Sequence, residues 1–573
     1  MQNLFDKASL VMVPSGYGNG KLYNIKPEDK GSAFEFERAT MATRVNSSGL
    51  VETMFPEATN LLLQSNNFDT SPWASISSNE TGGQVGYDGT NDAWEVTTTS
   101  STGSLYQLNT DSGVQTFSVY AKSDGSTGLR MYAFGNTNAN AYFNLSTGAV
   151  VTSSNTITSN IENVGGGWYK CSITFNQTNT VLRFYTTNNS TTPIAGTIYI
   201  QDAQLETGYF ATPYIETSTQ TVTRQNQANQ PRIDYSSGEG ALLLEPARTN
   251  LITYSEDLEK AFAELLVDSI IVNYGTSPEG VVNSTRLEGV DLTGGQYFEN
   301  FGSSLTDGTE YTFSCYYKGT LGEKTVMKAI GVDGSGTSVE KLITFTGNWQ
   351  RENITFTAGS TSNYAYITDQ RVSGTTASNF EVWGAQLEQG SYPASYIPTN
   401  GQAETRSKDL CQLSAGGVNE TEGTFFIDYG DSPNVNALFA SSTSNNTITN
   451  NIRLSKDQLY IRNGGGNLIV ANLTAPDSGK LALTYSTSGV KIFANGGSTP
   501  IYTSTTSITF DGPIDYVRVG SRVNDVGVEE FKPKQFLIFP EVLTDEELQR
   551  LTSPSADATT FTELANNNGY TIL

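Results

Sequence analysis

An internal duplication constrains the fold of this chain more than any other feature of its sequence. Residues 203–215 read AQLETGYFATPYI and residues 385–397 read AQLEQGSYPASYI, with seven of the thirteen positions identical. Unrelated segments of ordinary composition would share about one residue over such a window. The offset persists downstream, where Thr223-Arg224 corresponds to Thr405-Arg406. A period that long is a duplicated domain, because solenoid repeats stop at about 50 residues.

The copies agree elsewhere. Thr59–Phe68 reads TNLLLQSNNF and Thr249–Leu258 reads TNLITYSEDL, each with a proline three residues ahead (Pro56, Pro246). QTFSVYAK at 115–122 and YTFSCYYK at 311–318 share Phe, Ser, Tyr and Lys positions. Trp168 and Trp349 each precede an Ile-Thr-Phe strand, at 173–175 and 354–356. Apolar residues recur at spacing two, which places one face of each strand on a core and the other in water. Short strands separated by Gly, Asn, Ser and Asp turns are the pattern of a two-sheet sandwich or jelly roll.

Composition supports this and excludes several chemistries. The chain has 573 residues, 16% charged, with many Ser, Thr, Asn and Gly and no sustained helical pattern. It reads as all-β, as tandem β-sandwiches. There is no histidine, which rules out His-based zinc sites and Ser-His or Cys-His catalysis. The formal net charge of −25 argues against nucleic acid and anionic membrane as partners. Cys171 and Cys315 sit in apolar strand patterns and Cys411 is a third, odd cysteine, so buried free thiols are expected. The first residues, MQNLFDKASLVMVP, lack the basic and apolar regions of a signal peptide. No run of apolar residues is long enough to span a membrane.

Taken in order, five parts are expected. Residues 1–58 form an extended N-terminal arm too poor in apolar residues for its own core, with FEFERATMATRVN as one strand. Residues 59–215 and 249–408 are the two jelly rolls, joined by a polar connector at 216–248. Residues 409–573 have a different rhythm, with a strand at 423–430 and a hairpin at 479–497 turning on Ser-Thr-Ser-Gly. A late helix begins at LeuThrAspGluGluLeu, where Thr544 and Glu547 form a capping box and Leu543 with Leu548 a staple.

GYGNGKLYNIKP, FERATMATRVNSSGLVE, PRIDYSSGEGALLLEPARTNLITYSED and AQLEQGSYPASYIPT resemble segments that recur in fibre and tail-appendage proteins of tailed bacteriophages. In these, jelly rolls similar to carbohydrate-binding modules are strung between such connectors. KLALTYSTSGVKIFANG and FLIFPEVLTDEELQRL resemble a laminin-G or concanavalin-A-like lectin domain. The resemblance implies a non-enzymatic virion protein, made in the host cytoplasm and carried on the outside of the particle. It implies other virion proteins as partners of the arm, host-surface glycans as ligands, and a homotrimer. A sugar-free spacer or decoration protein and a polysaccharide-degrading enzyme are the alternatives.

Candidate glycan contacts are Trp94, which has no counterpart in the second copy, and Tyr460 with Asn463 near a loop tip of the C-terminal third. Trp168, Trp349 and Trp383 are expected to fill sandwich cores. Glu206 and Glu388, at matching positions, suggest either a surface hydrogen bond or a structural Ca²⁺ site of the kind found in related jelly rolls. Asp202 beside Glu206 becomes Gly384 in the second copy, which weakens the calcium reading. No catalytic residue is indicated.

Overall fold

A computed structural model of the chain describes residues 2–27, 33–430, 439–444, 447–464, 466–521 and 530–554. The chain is all-β and forms two compact units, both assembled from separated segments. One comprises residues 57–226 and 249–404, and the other residues 1–56, 227–248 and 405–573. Among the described residues no helix is long and apolar enough to cross a membrane.

The first of these units holds the duplicated sandwiches. In the first copy two twenty-residue strands, Ser104–Ser123 and Trp168–Thr187, pair antiparallel along nearly their whole length. Their near ends pair with Thr158–Gly165 and Gly196–Thr207, and their far ends with Ala74–Ile76 and Gly128–Phe134. Phe117, Val119, Cys171, Ile173, Leu129 and Phe184 alternate inward onto one core. The second copy is two five-stranded sheets. One contains Gln296–Asn300, Lys324–Val332 and Ser362–Asp369, and the other contains Glu310–Gly319, Gln350–Thr357 and Phe380–Gln389. Phe313, Tyr317, Met327, Ala365 and Leu387 lie between them.

The repeated AlaGlnLeuGlu motif is a clamp, and it is the same in both copies. Gln204 Oε1 accepts from the Ile215 N–H at 2.7 Å, and Glu206 Oε1 accepts from Gln204 Nε2 and the Thr212 N–H at 2.8 Å each. In the second copy Gln386 Oε1 accepts from the Ile397 N–H at 2.7 Å, and Glu388 Oε1 accepts from Gln386 Nε2 and the Ala394 N–H. These bonds lash the segment after the last strand back across the outer face of its sheet. Glu206 and Glu388 are fully buried, so the expected surface bond is corrected. Burial raises the Glu206 pKa, and the Gln204 and Thr212 donors favour its charged form. Its carboxylate is committed to this clamp, and among the described residues no group of Asp, Glu or Cys is arranged to hold a metal ion.

The two sandwiches meet along the strand Thr158–Gly165, an edge of the first. Asn273 Nδ2 donates to the Ile161 carbonyl at 2.9 Å, Asn400 Nδ2 to the Tyr209 carbonyl at 3.2 Å, and Asn163 bridges Val282. Covering an edge in this way removes a strand-pairing liability. Glu162 from the first copy faces Glu256 and Glu279 from the second. Both of the latter accept from Asn283 Nδ2 at 3.3 Å, and Tyr396 donates to Glu256 at 3.0 Å. Lys170 lies opposite Glu162 and spends its ammonium on the Ala211 and Thr212 carbonyls. Burial pushes Glu256 up to about 7, raises Glu279 well above the ordinary carboxylate range, and raises Glu162. Burial also lowers Lys170, while Glu162, Glu206 and Glu279 act in the opposite sense.

Carboxyls raised in the folded state stabilise it fully only below their unfolded pKa. That contribution is lost as pH rises through the folded value, here about 7. Hydrogen exchange at 161–163 and 276–283, corrected for intrinsic rates, is therefore expected to be roughly tenfold faster at pH 8 than at pH 5. A flat profile would contradict this, and Glu256→Gln should flatten it in part.

The second unit corrects the reading of the N-terminal arm. Leu10–Gly18, Lys21–Lys26 and Phe34–Glu37 are consecutive strands in a fourteen-stranded sheet, between Pro533–Phe539 and Leu410–Val418. Strands near both ends of that order, with Leu459 and Ile461 toward one and Leu481 and Leu483 toward the other, reach the same core. The sheet is therefore folded over on itself. The arm buries its apolar residues within its own chain, which removes the physical reason for expecting a partner to cover it. FEFERATMATRVN forms two strands, Phe34–Glu37 and Ala42–Val45, instead of one. The connector is divided as well: 227–248 joins this unit through the hairpin Arg232–Asp234 and Ala241–Leu243, and 216–226 stays with the sandwiches.

Other expectations appear as drawn. Gly479–Ser486 and Gly489–Ala494 form the hairpin, closing at Ser486 and Gly489. The helix Asp545–Thr552 carries both halves of its capping box, with Leu543 and Leu548 in a cluster that also takes Leu4, Val11 and Val13. Cys171, Cys315 and Cys411 are free and buried. The last part of the C-terminal third, 555–573, lies outside the described residues.

Candidate functional site

Trp94 belongs to the unit of the duplicated sandwiches, and Tyr460 and Asn463 to the other unit. Trp94 is on the core-facing side of Ala93–Thr98, where its indole donates to the Asn66 carbonyl at 3.0 Å and meets Phe68 edge-on at 6.1 Å. A Cβ on Gly82 would lie 3.1 Å from its ring, so the indole is held closely from that side. Its half-buried edge is the part left for a ligand. Tyr460 points away from the core, its hydroxyl on Asn467 at 2.6 Å and its ring under Arg453, whereas Asn463 Nδ2 donates to the Thr509 carbonyl.

The other tryptophans are structural in a way that differs from expectation. Trp383 is fully buried, but it packs on Tyr316 and Tyr396 beneath the clamped segment, outside the sandwich core. Trp168 is also buried and lies outside the core cluster. Trp349 is half-buried, donates to the Thr276 carbonyl, and lies beneath the Lys318 ammonium.

A different surface gathers aromatic side chains. The strands Ser104–Ser123, Trp168–Thr187, Gly128–Phe134 and Ala139–Asn144 lie side by side, and alternation sends Leu105, Leu129, Met131, Leu182 and Phe184 inward. The residues between them point out. Register places Tyr106 beside Arg183 and Arg183 beside Tyr132, and places Tyr185 beside Arg130 and Arg130 beside Tyr142. Leu108 and Phe134, 69% and 47% exposed, continue the surface at one end.

The rings and guanidiniums interleave. Arg130 stacks 4.3 Å from the Tyr132 centroid, 5.1 Å from Tyr142 and 5.3 Å from Tyr185, and Arg183 lies 4.9 Å from Tyr106. Tyr132 also meets Phe134 edge-on at 5.8 Å. Contacts of this kind hold planar groups in place without consuming their exposed edges. The face is therefore a rigid, amphipathic platform. Its sequence signal was legible as period-two aromatics on the polar phase, LRMYAF at 129–134 and LRFY at 182–185. Attention to tryptophan alone passes over it.

The equivalent face of the second sandwich is also aromatic. Phe298 lies 5.1 Å from Tyr366 and 6.1 Å from Tyr364. Its basic groups differ: Lys328 and Arg371 both pair with Asp369, at 3.2 and 2.7 Å. Nearby Glu299 is pushed up to about 8 by burial.

No protein-family model matches the chain, and no curated protein matches it. Among solved structures it is similar to the CBM22-1–GH10 modules of Clostridium thermocellum endo-1,4-β-D-xylanase 10B complexed with xylohexaose. The identity is 15%, covering 26% of this chain and 29% of that one, with a TM-score of 0.19. The chain thus spans less than a third of that xylanase structure. The tandem CBM22-1–CBM22-2 domain of Paenibacillus barcinonensis Xyn10C is 12% identical over 58% of this chain and 98% of its own, at a TM-score of 0.20. Domain 4 of the Geobacillus stearothermophilus arabinanase AbnA, in complex with arabinotriose, is 14% identical over 28% and 82%, at 0.21. These scores are too low for a shared function to follow from them.

Proposed function

We propose that the chain is a non-enzymatic glycan-binding protein, and that the tyrosine–arginine face of the first sandwich is its sugar contact. The single observation that carries this reading is the interleaved aromatic platform on an open sheet face. Aromatic faces match the apolar faces of pyranose rings, while tyrosine hydroxyls and guanidinium edges can address sugar hydroxyls. Half-buried rings held in place by stacked guanidiniums are anchors that lose little entropy on binding.

The wider reading is a fibre or tail appendage of a tailed phage, external on the particle, that engages host-surface glycans. Residues 409–573 would be its laminin-G or concanavalin-A-like lectin part, with Tyr460 and Asn463 as further contacts beside Trp94 of the first sandwich. Other virion proteins as partners and a homotrimer belong to the same reading. It is supported by the resemblance of the connector segments alone. Three copies would raise weak single-site binding by roughly 10²–10⁴ where geometry permits.

A glycan array probed with the intact protein tests the binding reading. Tyr132→Ala is expected to weaken the strongest interaction about tenfold while leaving the melting temperature within a few degrees, because the ring is on the solvent side of its strand. Silence across the array would favour the sugar-free spacer. Release of reducing ends from a bound glycan would establish the enzymatic alternative. Labelling the chain in images of intact particles tests the virion assignment.

A further inference from the structure

We infer that the ligand of the first sandwich's face is an acidic glycan, a polysaccharide whose sugar rings carry carboxylates, held by Arg130 and Arg183 between the tyrosines. This rests on the reading of that face as a sugar contact and adds its charge class. Acidic residues outnumber basic ones by 58 to 33 in this chain. On the matching face of the second sandwich the basic side chains do find a carboxylate, since Lys328 and Arg371 both pair with Asp369.

Arg130 and Arg183 do not. Among the described residues neither has an ion-pair or hydrogen-bond acceptor, and the Nε of each is buried without one. Their company is the rings of Tyr106, Tyr132, Tyr142 and Tyr185. Stacking fixes the plane of each guanidinium and leaves its paired N–H edge to a carboxylate, which it can bind bidentately. The two arginines lie on neighbouring strands, with Arg183 opposite Tyr132 and Arg130 two residues before it, so both address one ligand. The second sandwich has the rings, but its cations are neutralised by Asp369. The two copies thus differ in the one property that selects for charge.

The test uses the full chain at about 0.15 M salt, where a screening length of about 8 Å mutes the field of the acidic remainder. Uronate-containing oligosaccharides are printed beside their carboxyl-reduced, neutral counterparts, with a single-stranded oligonucleotide as a further probe. Binding to the acidic member at least tenfold tighter than to its reduced twin is expected. R130Q and R183Q should each bring that ratio toward one, R130K should restore part of it, and the melting curves of all three should match the parent. The comparison of twins on the unmodified protein stands even where a variant fails to fold. Equal binding of both twins overturns the charge inference and leaves the sugar-contact reading intact. Binding to neither defeats both. Acidic binding that survives the double substitution, or tighter binding of the oligonucleotide, also overturns the inference.

Discussion

Asp409→Ala is expected to destabilise the unit that contains it by about 3–5 kcal/mol, the usual cost of stripping one partner from a buried ionic network. Asp409 is fully buried and accepts from Arg38 Nη1 at 3.0 Å, from Arg232 Nη2, and from the Glu245 N–H at 2.9 Å; Arg406 Nη1 lies 3.7 Å away. Glu245 shares the load, at 2.7 Å from Arg232 and 3.2 Å from Arg406. Three guanidiniums thus face two carboxylates, and removing Asp409 leaves one. Burial already pushes Arg38 down to about 10, yet it stays charged at neutral pH, so the loss is uncompensated charge in a dry site.

The network ties together three parts of the chain that are remote in sequence, since Arg232 also donates to the Thr43 carbonyl and Arg406 to the Pro246 carbonyl, both at 2.8 Å. Its failure should therefore release the arm and the hairpin together. Urea unfolding resolved by hydrogen exchange should show early exposure of 10–26 and 232–243, with the duplicated sandwiches unchanged as an internal control. An unshifted transition for that unit would refute the role given to Asp409. Asp409→Asn, which keeps the shape but not the charge, should fall between the two.

Asn250→Ala is the second large effect expected, about 4 kcal/mol within the duplicated unit, because it orphans several buried backbone groups at once. The Asn250 side chain is fully buried. Its Oδ1 accepts from the N–H groups of Ile252 and Leu387 at 3.1 Å each, and its Nδ2 donates to the carbonyls of Ala385 and Ile397 at 3.2 and 2.9 Å. It therefore joins the first strand of its copy, the AlaGlnLeuGlu strand and the segment clamped over it. Loosening that segment should uncover Trp383, so a red shift of tryptophan emission should accompany a lowered urea midpoint. Asn60 makes the same four bonds in the first copy, at 3.1, 3.1, 3.2 and 2.8 Å. Asn60→Ala should match the loss in stability and leave Trp383 emission unchanged. A loss below about 1 kcal/mol at either position would show that water replaces these bonds.

The tyrosine–arginine face was written in the sequence as surely as the core opposite it. The same alternation that sends Leu129, Met131 and Ala133 inward sends Arg130, Tyr132 and Phe134 outward. What one sequence could not show is which outward residues become neighbours. That depends on the register of Gly128–Phe134 against Trp168–Thr187, whose partners are some fifty residues apart in the chain. Trp94 shows the same dependence: its lack of a counterpart in the second copy marks it as a candidate contact, and only the fold shows that its ring packs against Phe68 and Gly82 and is half-buried.

The duplication, the all-β class, the hairpin at 479–494 and the capped helix at 545–552 were determined by the sequence itself. Each depends on neighbours a few residues away or on a motif whose polar residues are reused identically in both copies. The fate of the arm, the division of the connector and the burial of Glu206 and Glu388 were decided only by tertiary structure. The pairing of Leu10 with Ile538 and of Phe36 with Cys411 joins stretches hundreds of residues apart. Read locally, the arm is too poor in apolar residues to fold. It becomes a set of inner strands because strands on both sides supply the hydrogen bonds and apolar cover that its own sequence cannot.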